Sequence, residues 1–313
     1  MLLVRAGALG DLLLLRPTIF ALKRAGYEVA LLAPERPAAA LLGAGPCEVD
    51  QSIAWERPEV ASLLGGADCP RSLREVLLGS ARVVAYTRST DLIHALESAG
   101  VPLRTRDPRP TGGWHAADWF AGAVRDLAPA PPDPLPSLQP CAAERLEADR
   151  FCRPLAPGFL AVHPGSGSAA KNWAPERFRT LLARLSPERP FLLIRGPADA
   201  RACAELEKDP RALRARELPA RVLGAALSRA ALFVGNDSGV THLAAAYGAP
   251  TLALFGPSDA CTWRPLGGCV VSLSSTDGTM DGLPVETAVS AAQELLRRSR
   301  AAATFGERAL PAG

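Results

Sequence analysis

The chain has 313 residues, 48% of them hydrophobic and 21% charged, with a formal net charge of +3. This is the composition of an ordinary soluble globular protein, too long for one growing core and so expected to form two domains. The charge is too small to imply a nucleic-acid partner. Seven scattered cysteines without a C-x-x-C pair fit reduced thiols better than a zinc site or a disulfide framework.

The opening Met1-Leu-Leu-Val-Arg5 lacks the design of a signal peptide, and the apolar run Leu12–Leu15 is far too short to span a bilayer. A soluble or peripheral cytoplasmic protein is expected. Apolar runs at Leu2–Arg5, Glu28–Ala33, Arg82–Thr87 and Val101–Thr105 read as strands. Helical patterns fall between and after them, at Asp11–Ala25, Ser72–Leu78, Leu92–Ala99 and His115–Leu127. Pro34–Gly66 gives no clear periodicity. Six prolines between Leu127 and Pro140 can neither continue a helix nor sit in a central strand, so this stretch reads as an extended linker. A short helix, Ala142–Phe151, follows it.

The second half repeats the alternation. Phe159–His163, Phe191–Arg195, Arg214–Leu218, Leu232–Gly235, Thr251–Phe255 and Cys269–Leu273 read as strands. Helices are expected at Pro175–Leu185, Asp199–Glu207, Val222–Ala230, Gly239–Tyr247 and Val285–Arg300, with Ala301–Gly313 as a loose tail. Strands and helices alternating in both halves predict an α/β protein of two Rossmann-like parallel-sheet domains, facing each other across a cleft.

Three βα turns carry the candidate chemistry. The turn after Leu232–Gly235 offers Asn236, Asp237, Ser238 and Gly239 at a helix start, with His242 one turn later. There the unpaired backbone N–H groups and the helix dipole favour an anion. Any one of these residues alone would more readily be an N-cap, but four together favour a ligand site. The turn after His163 offers Ser166, Gly167 and Ser168, then Lys171, a hydroxyl, amide and ammonium set suited to phosphate oxygens. In the first half, Gly7 and Gly10 permit a tight turn before Asp11, which on position alone is most simply an N-cap. Arg195, Asp199, Asp259 and Trp263 fall on neighbouring loops, and an ordinary βα turn explains them equally well.

Some motifs are missing. Gly7-Ala-Leu-Gly10 does not match G-x-G-x-x-G, which argues against a dinucleotide-dependent dehydrogenase. The sequence holds no D-x-D, Walker, G-x-S-x-G or H-E-x-x-H pattern, so no metal or cofactor is expected.

Taken together, Leu3-Val-Arg-Ala-Gly-Ala-Leu-Gly-Asp-Leu12, His163-Pro-Gly-Ser-Gly167 with Lys171-Asn-Trp173, Phe233–Ala244 and Leu254-Phe-Gly-Pro-Ser-Asp259 resemble glycosyltransferase family 9, the ADP-heptose:lipopolysaccharide heptosyltransferases. The resemblance implies a GT-B fold, with residues 1–140 as the acceptor domain, ending in linker 127–140, and residues 141–313 as the nucleotide-sugar domain. It also implies metal-independent inversion at the anomeric carbon. By match of motif, Asp11 would be the general base. Ser166, Gly167, Ser168 and Lys171 would hold the diphosphate, and Asn236, Asp237, Ser238, Gly239 and His242 would line the rest of the donor site. Gly10, Arg88, Arg104 and Arg106, with Arg109 nearby, could meet an anionic core-sugar acceptor, although a solvated basic face accounts for the arginines as well. The implied partners are ADP-heptose and a glycan or glycolipid, not nucleic acid, with peripheral contact at the inner membrane left open. A nucleotide-sugar epimerase of similar architecture and a silent nucleotide-sugar-binding protein are the alternatives.

Overall fold

A computed structural model describes residues 1–64 and 71–308. The chain divides into two compact units, Met1–Leu138 and Gln139–Gly313, each built on one parallel sheet. The first holds β1 (Leu2–Val4), β2 (Ala30–Ala33), β3 (Gln51–Ala54), β4 (Val83–Tyr86) and β5 (Leu103–Arg106), in the order β3-β2-β1-β4-β5. The second holds β6 (Leu160–His163), β7 (Phe191–Ile194), β8 (Ala212–Ala215), β9 (Leu232–Asn236), β10 (Thr251–Phe255) and β11 (Val270–Ser274), in the order β11-β10-β9-β6-β7-β8. Strand order reverses between β1 and β4 in one unit and between β6 and β9 in the other. Open α/β sheets bind their ligands outside the strand C-termini at such a reversal.

Central strands are largely apolar because helices cover both faces of a parallel sheet. Every residue of β1, β4, β6, β7, β9 and β10 is buried. The edge strands differ. Only Ile53 is buried in β3, and Gln51 is exposed, which is why its stretch shows no readable period. The helices of the first unit are α1 (Leu9–Leu13), α2 (Arg16–Arg24), α3 (Glu35–Ala38), α4 (Pro58–Leu64), α5 (Arg71–Leu78), α6 (Thr90–Ser98) and α7 (Ala116–Ala121). Those of the second are α8 (Ala142–Phe151), α9 (Pro175–Leu185), α10 (Ala200–Cys203), α11 (Ala220–Leu227), α12 (Gly239–Ala246), α13 (Ala260–Trp263) and α14 (Val285–Arg308). Among the described residues, no helix is long and apolar enough to cross a membrane.

Several expectations need correction. The helix expected over Asp11–Ala25 is two helices, because Pro17 has no N–H to continue α1 and sits instead in the first turn of α2. Asp199–Glu207 likewise divides into α10 and a 3-10 turn, Leu206–Lys208. The strand expected at Arg214–Leu218 lies earlier, at Ala212–Ala215, because the chain is already turning through Pro219 into α11. The stretch read as a loose tail is helical as far as Arg308, carried on by the helix-favouring Ala301-Ala-Ala303 run. Its last five residues, 309–313, lie outside the described residues. The proline-rich stretch is anchored within the first unit, where the Pro136 carbonyl accepts hydrogen bonds from buried Arg16 and from Cys47 Sγ.

Candidate functional site

In the second unit, β6, β9 and β10 bring three polar loops to the same sheet edge. Lys171 ends a 3-10 turn after β6, and its Nζ donates to Asp237 Oδ2 at 2.7 Å. Ser258 Oγ, from the loop after β10, donates to the same oxygen at 2.7 Å. The Asp237 N–H donates to the Leu254 carbonyl at 3.0 Å, so its backbone continues the sheet's ladder. Lys171 and Asp237 are therefore brought together, and Ser258 is the partner that sequence reasoning missed. Only the loop Gly256-Pro-Ser-Asp259 signalled it.

Trp173 holds Lys171 in place. Its ring is fully buried, 5.2 Å from Phe178 in a T-shaped pair, and its Nε1 donates to the Leu283 carbonyl at 3.0 Å. Its backbone N–H donates to Asn236 Oδ1 at 3.2 Å, while Asn236 Nδ2 donates to the Pro164 carbonyl at 2.7 Å. Asn236 is fully buried. Its amide joins the two loops and presents no surface to a ligand. Ser166 is half-buried, with Oγ 2.6 Å from the Ser168 carbonyl and 2.7 Å from Asn172 Oδ1, while Gly167 and Ser168 are exposed.

Ser238 caps α12, accepting the Thr241 N–H at 3.3 Å. The N–H groups of Gly239 and Val240, in the first turn, have no partner within the helix and carry its positive dipole end. His242 lies one turn on and is buried. The helix sits close against β9 because a Cβ at Gly235 would come within 2.7 Å of Thr241 Oγ1.

Below the Ser166 loop lies a buried pair. His163 Nε2 is 3.7 Å from Asp199 Oδ2, its Nδ1 is 3.2 Å from the Ile194 carbonyl, and Asp199 accepts the Gly196 N–H at 2.7 Å. Burial holds the imidazole below its ordinary pKa, with Asp199 opposing that shift. A Cβ at Gly165 would collide with the Asp199 carboxyl, so only glycine lets the loop close over it.

In the first unit, Asp11 stands beside the reversal between β1 and β4. The Arg5 guanidinium donates to Asp11 Oδ1 at 2.7 Å and the Ala8 N–H donates to Oδ2 at 3.1 Å. Arg5 lies over Phe120, 4.3 Å from the ring centre, and is buried. Gly7 leaves room for the carboxylate, since a Cβ there would come within 2.7 Å of Asp11 Cβ. Gly10, half-buried, precedes Asp11 within α1.

The arginines separate. Arg106 ends β5 with its guanidinium 3.7 Å from the Trp119 ring centre, and exposed Arg88 follows β4 with Nε 3.6 Å from Asp107. Arg104 is instead paired with Asp126, through both guanidinium ends, and donates to the Ala123 carbonyl at 2.6 Å. That pairing holds the Asp126 carboxyl down at about 2. Asp126 also faces Arg82, just before β4 begins, so Arg104 is drawn toward the sheet edge opposite Asp11. Exposed Arg109 donates its backbone N–H to Asp107. Among the described residues, no three or more His, Cys, Asp or Glu side chains gather to hold a metal ion.

The family model for glycosyltransferase family 9 (heptosyltransferase) matches residues 123–287, more than half of the chain. The chain belongs to glycosyltransferase family 9. Lipopolysaccharide heptosyltransferase 3 of Escherichia coli is 27% identical over 136 residues, which cover 41% of this chain and 40% of that relative. The match therefore spans well under two thirds of the curated relative's length. A glycosyl transferase family 9 structure from Veillonella parvula DSM 2008 superposes with a TM-score of 0.78 at 18% identity, covering 95% of this chain and 97% of that one. The E. coli ADP-heptose lipopolysaccharide heptosyltransferase II superposes with 0.73 at 19% identity, covering 96% and 99%. At these identities the likeness shows the fold, an α/β architecture of GT-B class. The family 9 segment contains Lys171, Asp237 and Ser258. Arg5 and Asp11 lie outside it.

Proposed function

We propose that this family 9 member transfers a heptose from ADP-heptose to a lipopolysaccharide-core or related glycan, with inversion and without a metal ion. The observation that carries the reading is the convergence of Lys171, Asp237 and Ser258 at the β6/β9 reversal, inside the family-matched segment. Lys171, the Ser166–Ser168 turn and the α12 N-terminus offer positive charge and N–H donors to a diphosphate, supplying the electrostatic role that a divalent cation fills elsewhere. Asp237 is the group for sugar hydroxyls. The names of E. coli heptosyltransferases 3 and II support heptose and the ADP carrier.

In this reading the second unit binds the donor and the first binds the acceptor. Asp11 accepts the proton of an acceptor hydroxyl as that oxygen forms its bond to the anomeric carbon. The bond from that carbon to the β-phosphate oxygen breaks, and ADP leaves with the electron pair. Asp11 is tethered at both oxygens, so its contribution is placement as much as basicity. Arg88 and Arg106 are proposed to meet acceptor anions. Work on a lipid-linked acceptor would place the protein at the cytoplasmic face of the inner membrane.

A melting-temperature panel of nucleoside diphosphates and their sugars tests the donor reading. ADP and ADP-heptose should stabilise the chain by about 2.7 kcal/mol at a hundredfold excess over Kd. Transfer to a heptose-deficient core extract should follow and persist in EDTA. Stabilisation by UDP-sugars alone, or isomerised sugar without acceptor, overturns the assignment.

A further inference from the structure

We infer that Ser258 is a positioning residue that lets the donor site distinguish a nucleotide-sugar from the bare nucleoside diphosphate. The inference rests on the donor reading above and concerns what happens to Asp237 when that ligand arrives.

In the structure, Asp237 Oδ2 accepts two hydrogen bonds, from Lys171 Nζ and Ser258 Oγ, each at 2.7 Å. Among the described residues, none reaches Oδ1. The two donors differ in what they can do next. Lys171 is about a third exposed, on a flexible stem with three N–H donors, and a diphosphate competes directly for that ammonium. Ser258 is neutral and sits on an anchored loop, so a diphosphate pulls on it far less than on the mobile ammonium, and it stays with the carboxylate while Lys171 is drawn away.

The Ser258 loop is built to stay in place. Gly256 has no room for a Cβ, because buried Met280 places its Sδ 2.6 Å from that position. Pro257 fixes its own φ. The next residue, Asp259, caps α13 by accepting the Cys261 N–H at 2.9 Å. The Ser258 hydroxyl is thus held between two anchored neighbours. Asp237 is equally fixed at its backbone, and its side chain is only 10% exposed, so the carboxylate has little water to replace a lost partner. With Ser258 donating to Oδ2, Oδ1 remains directed to a ligand hydroxyl. Without Ser258, a diphosphate that takes Lys171 leaves a nearly buried carboxylate with no fixed orientation. That loss is felt by a ligand whose sugar uses Asp237 and not by one that ends at the phosphate.

The test is calorimetry of the full chain with ADP and with ADP-heptose, for wild type, Ser258→Ala and Ser258→Thr. Loss of one hydrogen bond to a charged group should weaken ADP-heptose about tenfold in Ser258→Ala. ADP affinity should stay within about threefold, and Ser258→Thr should restore the sugar-nucleotide. Equal weakening of both ligands at unchanged melting temperature would reduce Ser258 to ordinary loop support and sink the inference. So would unchanged binding of both. If wild type binds neither ligand, the donor reading itself fails and this inference with it. If wild type binds both and Ser258→Ala binds both with wild-type affinity, only this inference fails.

Discussion

The two units place an ion pair at the same topological point and orient it in opposite senses. In the first, the cation is inside: the Arg5 side chain is 4% exposed and its partner Asp11 33%. In the second, the anion is inside: Asp237 is 10% exposed and its partner Lys171 35%. One layout therefore presents a carboxylate from one sheet and an ammonium from the other. A carboxylate suits proton removal and an ammonium suits a departing diphosphate, so the buried member decides which chemistry each turn can offer.

The sharpest way to break this contrast is at the exposed members. Asp11→Asn keeps size and shape but cannot take a proton. Transfer should fall about 10²–10⁴-fold while ADP-heptose affinity by calorimetry changes less than twofold. Turnover near the wild-type rate would remove Asp11 from the chemistry. Next in size, Lys171→Met should weaken ADP about 10–100-fold, the worth of charge-assisted contacts to phosphate. Titrating ADP into both proteins at low and high salt checks this, since the wild-type advantage should shrink as salt rises.

The buried members should register in stability. Arg5→Met keeps the packing on Phe120 but removes the partner of a partly exposed carboxylate, for a loss of about 1–2 kcal/mol by denaturant unfolding. Transfer should fall as well, because Asp11 keeps only the Ala8 N–H. The smallest expected effect lies under the second unit's loop. Burial depresses the folded-state pKa of His163, so the unfolded chain binds the proton first as pH drops through about 6.5. Stability should decline from that point downward until the folded imidazole itself protonates. His163→Gln should flatten the slope between pH 7 and 5, and an unchanged slope would assign it to other groups.

The chain showed its central strands plainly because sheets covered on both faces favour apolar runs, as in Phe191–Ile194 and Leu252–Phe255. Edge strand β3 was invisible, since only Ile53 faces the core. At the candidate site, the spacing of Lys171 and Asp237 behind strand ends was legible. Their pairing, 66 residues apart, was not. The same limit made Arg104 look like Arg106, two positions on. Which arginine is already neutralised depends on Asp126, 22 residues away, and no local pattern carries that. Asn236 looked like a ligand group because its neighbours do, yet its amide is taken up in joining the Pro164 and Trp173 backbones.

The crowding of Gly165 against Asp199 carries an evolutionary corollary. The nearest atoms that a methyl group at position 165 would meet all belong to the Asp199 carboxyl. Lineages descending from this chain should therefore keep Gly165 for as long as they keep Asp199. A substitution first appearing at 199, to a smaller residue, would be the step that opens the other to variation.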